Sequence, residues 1–441
     1  MSGFTKRRRT LVFIISLSLM FGFAPGVGTR RARAQFGSYS VTDLGSLGGV
    51  QSKARAINNA GRVVGQSSPA SNVGSLPFAW NAGSMSNIES FTGGNTGDAL
   101  AVNEFGYAAG SAETSAGTVH PYVWSDIFGK RDIGTLGGDF AVAFDLNEAV
   151  QVVGQSEIRA LVDRGFVWSP TTGMQTIPTL GGASSAAYGI NNLGQIVGGS
   201  STSSGAFHAY LLSGGTMTDI GTLGGSQSVA YEINDAGQAV GYSTLTTGTI
   251  NPPLHAFIYT VAGGMQDIGT LGGTRSIAYD INSNGSVVGT SEIAPGVDHA
   301  FLYDPLTGMQ DLSTSVAASG WTLHEARGIN DRGEIVGTGV NPDGLTHAFL
   351  LKLLRDEIPD AVPPPCFSTT SSPIILPAQP ALAPSVNKKD RQRRSFSQPM
   401  PEPTFAPVPS LEPLRNPLDG ANRVPRDQKL LIRRDNVDGQ P

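Results

Sequence analysis

A block of about 44 residues recurs seven times along the chain, and a repeat of that length constrains the fold more than any single motif does. Units of this size stack into a solenoid or a propeller with a shared core, so the 441 residues are not read as unrelated domains. Three columns hold the register. An asparagine stands at Asn58, Asn103, Asn147, Asn191, Asn234, Asn282 and Asn330. A glycine follows seven residues later at Gly65, Gly110, Gly154, Gly198, Gly241, Gly289 and Gly337. An aromatic column runs through Phe78, Tyr122, Phe166, Tyr210, Phe257, Phe301 and Phe349. Successive anchors lie 43 to 48 residues apart, and the variation falls mainly in one loop.

Each unit reads as four short strands. In the sixth, AYDIN at 278–282 alternates as a pleated strand does. Asn282 to Gly285 has Asn first and Gly fourth, the pattern of a tight turn. SVVGTS at 286–291 returns, HAFLYD at 299–304 is the third strand and MQDLS at 309–313 the fourth. The ends complement each other: YSVTDLG at 39–45 is a fourth strand without three before it, and EARGIN, EIVGTG and HAFLLKL are three without a fourth. Pairing 39–45 with 347–353 would close a ring and remove exposed sheet edges. The expected fold is all-β, a seven-bladed β-propeller of four-stranded antiparallel blades over 36–354. A parallel β-helix is the rival, and it gives no reason for complementary ends. Three departures stand out: SFTGG replaces GTLGG in the second repeat, Val150 replaces the turn glycine in the third, and STSVAASGW at 313–321 interrupts the seventh, with Trp321 and His324 close by.

Composition agrees, with 39% hydrophobic and 15% charged residues beside 57 Gly and 28 Pro. Of 30 basic and 35 acidic side chains, seven basic ones lie in 1–35, and twelve basic and ten acidic ones in 355–441. That leaves 11 basic and 25 acidic residues in the repeat region, a net of −14. Such a body has the wrong sign for a phosphate backbone and excludes nucleic acid as a partner. The single cysteine, Cys366, allows no intramolecular disulfide and no cysteine-based metal site.

KRRR at 6–9, the apolar run 10–24 and ARA at 32–34 have the order of a secretory signal peptide cleaved after Ala34. The apolar run is short for a bilayer span, so no transmembrane segment is expected after cleavage; an uncleaved anchor is the competing reading. Residues 355–441 hold 17 of the 28 prolines and read as a disordered tail with basic clusters at 388–394 and 431–435. The expected product is a monomer, secreted or otherwise extracytoplasmic.

HAFI at 255–258, HAFL at 299–302 and HAFL at 347–350, each below an INxxGxxVG stretch, resemble the HAF repeat of probable extracellular bacterial proteins. The resemblance covers roughly 36–354. It implies export and a propeller-like repeat, and it carries no catalytic residue with it.

With strands running from inner to outer, the loops between second and third strands share one face and vary most, which makes them the expected binding surface. Their polar candidates are Asn72, Glu113, Glu157, Asn251, Glu292, Asp298, Asn341 and Asp343. None of these loops carries Trp or Phe, so sugar stacking lacks a platform and a protein partner is as suitable as a polysaccharide. Five histidines, His120, His208, His255, His299 and His347, open third strands. Blades packed about 10 Å apart keep such equivalents from sharing one zinc ion, so each is expected to make a structural hydrogen bond. Two residues before the anchor asparagine stand Asp145, Glu232 and Asp280, carboxylates near the axis that could hold calcium or accept hydrogen bonds from a neighbour. No other cofactor is expected. GxSxG, HExxH and P-loop patterns are absent from the sequence. The leading expectation is an exported, non-enzymatic scaffold binding a protein or polysaccharide through one loop face. The alternatives are a polymer-degrading hydrolase or lyase with its site in the axial funnel, and a structural envelope protein.

Overall fold

The computed structural model describes residues 38–159, 162–245 and 252–354. The leader at 1–34, Asn251, Cys366 and the tail at 355–441 lie outside the described residues. The described chain is all-β in a β-propeller arrangement. Five four-stranded antiparallel sheets stand separately, over 97–132, 141–176, 181–221, 228–267 and 276–311. The sixth unit of the sequence shows the plan: Ser276–Ile281, Val287–Ala294, Val297–Asp304 and Gly308–Asp311 pair in order. Strands over 322–353 and 48–87 form one further sheet of eight, in which Tyr39–Asp43 pairs antiparallel with Thr346–Leu353, Tyr39 opposite Leu353 and Asp43 opposite Phe349. The two halves of that sheet meet at one parallel bridge, Gln51 to Thr346.

The core is a series of apolar pads between consecutive sheets. Val240 and Ala256 of one sheet pack against Ala278, Ile281, Val287 and Phe301 of the next. All seven members of the aromatic column are fully buried. Of the three tryptophans at matching third-strand positions, expected between the blades, Trp80 and Trp168 are buried in such pads, and Trp124 is half-buried against another. The irregular stretch of the seventh repeat folds as a single helical turn, Leu312–Ser315, and a 3-10 turn, Ala317–Ser319, which seat Leu312, Val316 and Trp321 in the core. Trp321 meets Phe349 edge-on at 6.3 Å.

The motifs of the repeat become intelligible as hydrogen-bonded joints. In DIGTLGG the aspartate accepts the N–H of the residue two places on, as Asp267 does from Gly269 at 2.7 Å. Its other oxygen meets Nδ1 of the HAF histidine at 2.8 Å in His120–Asp132, His208–Asp219, His255–Asp267 and His299–Asp311. The fifth histidine, His347, meets Asp43 at 2.9 Å, from the opposite end of the chain. The serine closing xVVGxS accepts the leucine N–H of the same repeat's GTLGG, Ser243 from Leu223 and Ser291 from Leu271 at 2.8 Å.

The Asn-x-x-Gly turns place glycine at positive φ, for example Gly237 at 76° and Gly285 at 81°. Val150 occupies the same conformation at φ 56° while keeping the turn hydrogen bond to Asn147. A β-branched side chain there is strained by about 1–2 kcal/mol. Val150→Gly is therefore expected to stabilise the fold by about 1 kcal/mol, since the gain in backbone freedom of the unfolded chain offsets part of the relief. Urea unfolding of the two proteins checks this; an unchanged or lower midpoint would show that the packing of Val150 against the core around Phe166 and Trp168 outweighs the strain.

Candidate functional site

The first strands of the repeats surround a cavity of about 780 Å³. What lines it is set by one backbone irregularity that every repeat carries. The pairing of first and second strands slips at the third residue before the anchor asparagine, between Ala230 and Glu232 and between Ala278 and Asp280, and likewise at Ala54/Ala56, Ala99/Ala101, Ala143/Asp145, Ala187/Gly189 and Ala326/Gly328. A bulge of this kind re-aims side chains that would otherwise alternate between faces. Consecutive residues such as Tyr231 and Glu232 therefore both line the cavity.

The bulge also explains the glycine column. A Cβ on Gly241 would lie 1.9 Å from the carbonyl oxygen of Val229, and on Gly65, Gly110, Gly154, Gly198, Gly289 and Gly337 it would lie 2.0 Å from the equivalent oxygen. The asparagine column is a joint between neighbours. Each Nδ2 donates to the main-chain oxygen of the next anchor, from Asn58 to Asn103 at 2.9 Å, through Asn147, Asn191, Asn234 and Asn282 to Asn330, and Asn330 donates to the oxygen of Asn58 at 3.1 Å. Oδ1 meanwhile accepts the N–H four residues on, as Asn234 does from Gln238 at 3.0 Å.

Three tiers follow along the strands. The first tier, one residue after the anchor, carries Asn59, Glu104, Glu148, Asn192, Asp235, Ser283 and Asp331. These side chains also link neighbours: Glu104 accepts the N–H of Asn59 at 2.9 Å, Glu148 that of Glu104 at 3.1 Å, and Asp331 that of Ser283 at 2.9 Å. Burial raises the Glu148 carboxyl above its usual pKa. Burial acts against charge on Asp331 too, but hydrogen bonds from Ser283 and Asn59 outweigh it and hold that carboxyl below the usual value.

The second tier holds Asp145, Glu232 and Asp280. Asp145 accepts the N–H of Leu146 at 2.7 Å and of Ile190 in the next repeat at 2.8 Å, and Asp280 those of Ile281 and Ile329, both at 2.7 Å. Glu232 accepts only from Ile233, at 2.9 Å. Removal from bulk water dominates all three titrations, and repulsion adds to it, from Asp280 on Asp145, from Asp145 and Asp280 on Glu232, and from Asp331 on Asp280. It lifts Asp145 to about 7 and Asp280 to about 6 despite their amide hydrogen bonds, and Glu232 well above its usual value. Among the described residues no three His, Cys, Asp or Glu side chains gather closely enough to hold a metal ion. The three carboxylates expected as calcium ligands line one cavity, each tied to the backbone of its own or the next repeat.

The third tier, three residues before the anchor, divides in two. Phe144, Tyr188, Tyr231 and Tyr279 form a continuous aromatic wall, with ring centroids 4.8, 5.1 and 5.7 Å apart in turn. Beyond Tyr279 the tier continues as Arg327 and Arg55. Arg55 pairs with Asp98 at 2.9 Å and Arg327 with Glu325 at 2.7 Å, while the Arg327 guanidinium lies 3.7 Å from the ring centroid of Tyr279. Burial works against charge on Glu325, yet Arg327 and Arg55 hold its carboxyl down at about 2. His324, Asp298 and Arg275 also line the cavity, with His324 Nδ1 3.3 Å from the main-chain oxygen of Asp298.

The loop candidates fare differently from one another. Asn72 accepts the N–H of Val50 at 3.0 Å, and Glu113 is bonded to Thr96 at 3.2 Å. Glu292 accepts from Thr274 at 2.9 Å and Gly296 at 2.8 Å, and Asn341 accepts from Leu345 at 2.9 Å and donates to Asp43. These four hold loops and crossovers in place. Glu157 is buried and lies opposite Asp163 in its hairpin, where burial and the Glu157 charge lift Asp163 to about 8. Asp343 is exposed in a turn, and Asp298 alone of the set lines the cavity. The first tier, together with Arg55 and Arg327 in the third, escaped the sequence reading. The signal for both was in the register: polar residues recur one place after the anchor, and the aromatic column Phe144, Tyr188, Tyr231 and Tyr279 continues as Arg327 and Arg55.

Residues 203–343 match a family described as "Protein of unknown function (DUF3466)". No curated protein matches the chain in sequence. Among solved structures the chain is similar to the TolB of Acinetobacter baumannii, with 12% identity and a TM-score of 0.38, covering 56% of this chain and 63% of that one. It thus spans less than two thirds of the TolB chain. It is also similar to the β-propeller domain of the Trilobed protease from Pyrococcus furiosus, with 11% identity, a TM-score of 0.45 and coverage of 69% and 96%. The acylaminoacyl peptidase of Pyrococcus horikoshii gives 11% identity, a TM-score of 0.46 and coverage of 70% and 54%. None is close enough to carry over a residue or an activity. No helix among the described residues is long and apolar enough to cross a membrane.

Proposed function

We propose that the protein is an exported, non-enzymatic, seven-bladed propeller that binds its ligand in the axial cavity. One observation carries the reading: the polar side chains offered by the loops are mostly committed to backbone, whereas the cavity is lined by charged and aromatic groups and has the volume of a small-molecule site. Ring closure is supported by the Asp–His joint. The contact that ties third to fourth strand within other repeats recurs between His347 and Asp43, and the asparagine series returns from Asn330 to Asn58. Export rests on the leader at 1–34 and the HAF resemblance, with the propeller over 36–354 and the tail at 355–441 as separate segments. A protein or polysaccharide on the loop face would have the exposed Asp343 to hold it.

Ligand-induced stabilisation of the full chain tests this. Leu100 lines the cavity, and Leu100→Trp fills part of it. A ligand near a hundred times its dissociation constant raises stability by about 2.7 kcal/mol, which the Trp variant should abolish and Asp343→Ala should keep. The opposite pattern would sink the cavity reading in favour of the loop face.

A second reading, a hydrolase or lyase, is favoured by Asp145 being held near neutrality at about 7 beside Glu232, since a general acid needs a carboxyl protonated at working pH. It requires polymer cleavage by the purified protein that Glu232→Gln removes; no cleavage of acidic or neutral polysaccharides would end it.

A further inference from the structure

We propose that the cavity takes a small linear polyamine, an aliphatic chain bearing two or more ammonium groups, with its charges against the two carboxylate tiers and its methylenes along the aromatic wall. The inference rests on the reading of the cavity as the binding site and names its ligand class.

Charge comes first. Nine carboxylates line the cavity against three guanidinium groups, and two of those three are neutralised by Asp98 and Glu325. An anion has no unpaired cation on this wall other than Arg275. Geometry then separates an organic cation from a metal ion. The carboxylates do not converge as metal ligands must. They are spread around the channel on two tiers three residues apart, roughly 10 Å along a strand. Several separated positive charges on a flexible chain match that spread, and a point charge does not.

The aromatic wall supplies the second argument. Tyr188 and Tyr231 continue the surface on which Arg327 already lies, 3.7 Å from the Tyr279 centroid. The protein thus uses one end of the wall for a cation of its own, and the attraction of a ring face for an ammonium group is of the same kind. The third argument is the hydrogen-bonding capacity left over. Glu232 accepts one backbone N–H and uses one oxygen to do so. Among the described residues, no protein group accepts a hydrogen bond from the hydroxyls of Tyr231 and Tyr279, which line the same cavity. Ammonium groups are donors and suit the carboxylate oxygen directly.

Titration calorimetry of spermidine into the full chain, at neutral pH and about 150 mM salt, tests the proposal. The expected result is saturable binding of one molecule per chain. Proton release should make the heat depend on the buffer, because the buried carboxyls must ionise to meet the amine. Glu232→Gln, with an unchanged circular dichroism spectrum, should weaken binding about tenfold or more. Binding that ignores Glu232→Gln, exceeds one per chain and disappears in high salt would be counter-ion condensation on the acidic surface, and would overturn the proposal. Absence of binding at millimolar spermidine would overturn it too. If another compound then stabilises the wild type and not Leu100→Trp, the cavity reading stands and only the ligand class falls; if no compound does, both fall.

Discussion

Gly241→Ala is expected to lose roughly 4 kcal/mol or more of stability and to be recovered mainly in insoluble form. The added Cβ would sit 1.9 Å from the oxygen of Val229, 2.8 Å from its carbonyl carbon and 2.9 Å from Cα of Ala230. All three are backbone atoms of the adjoining strand, so no rotamer change relieves the clash. The strand itself would have to withdraw, and it carries the bulge that aims Tyr231 and Glu232 into the cavity. Withdrawal would also disturb the Asn234 joint at the end of the same strand. Gly264→Ala is the matched control. Gly264 sits at φ 68° where a turn enters the strand Gly264–Asp267, and its Cβ would meet nothing within 4 Å. It should lose only the cost of a left-handed alanine, about 1–2 kcal/mol. Urea midpoints by circular dichroism separate the two. A Gly241→Ala protein as stable as Gly264→Ala would mean that the close approach is not what fixes the column.

The contrast between these glycines shows what the sequence could reveal. Both kinds are visible as residues, but only their spacing separates them, and the spacing identifies a column without giving its cause. The repeat length, the four-strand unit and the pairing of 39–45 with the last strand were legible because alternation and turn chemistry are local. The histidine column was legible as structural by exclusion, since equivalents in successive sheets cannot converge. Its partner was not: the Asp–His joint connects residues 11 or 12 positions apart in most repeats and 304 apart in one. The bulge was hidden for a physical reason. It breaks the period of two that strand reading depends on, so Tyr231 and Glu232 look like opposite faces of one strand and in fact share a cavity. The asparagine was found as an anchor and not as a joint, although its chemistry was available. A column that is amide in every repeat, never acid or hydroxyl, demands a group that donates and accepts at once. The loop candidates misled for the opposite reason: Asn72, Glu292 and Asn341 have the composition of a binding surface and serve as loop caps.

Resistance to urea is expected to peak between about pH 4 and 5 and to decline toward pH 8, unlike an ordinary acidic protein that is most stable near neutrality. Two sets of carboxyls act in opposite senses. Asp145, lifted to about 7, and Asp280, lifted to about 6, keep their protons in the folded chain after the unfolded chain has released them near 4. The folded state then binds more protons, so these groups withdraw stability as pH rises from about 4 to about 7, and Glu232 and Asp163 extend the decline upward. Glu325, held at about 2 by Arg327 and Arg55 in spite of burial, acts the other way. Asp43, Asp132 and Asp331 also lie below their usual values, hydrogen bonds overcoming burial in each. Their contribution is complete above about 4 and lost as pH falls toward 2. At about 1.4 kcal/mol per unit, the raised pair alone would cost several kcal/mol by pH 8; water in the cavity and structural relaxation reduce this to roughly 2–4 kcal/mol. Urea midpoints at intervals from pH 3 to 8 give the profile, and a midpoint that climbs steadily from 4 to 8 would show that the second tier is solvated. Glu232→Gln should shallow the upper part of the decline, since it removes a carboxyl that burial and the charges of Asp145 and Asp280 hold well above its usual value. A bound cation should shallow it in the same way, because ionisation at neutral pH would then be stabilised by the ligand. The same titration repeated with a saturating amine therefore connects the stability of the fold to the chemistry of its cavity, and a decline unchanged by the amine would place any bound cation elsewhere.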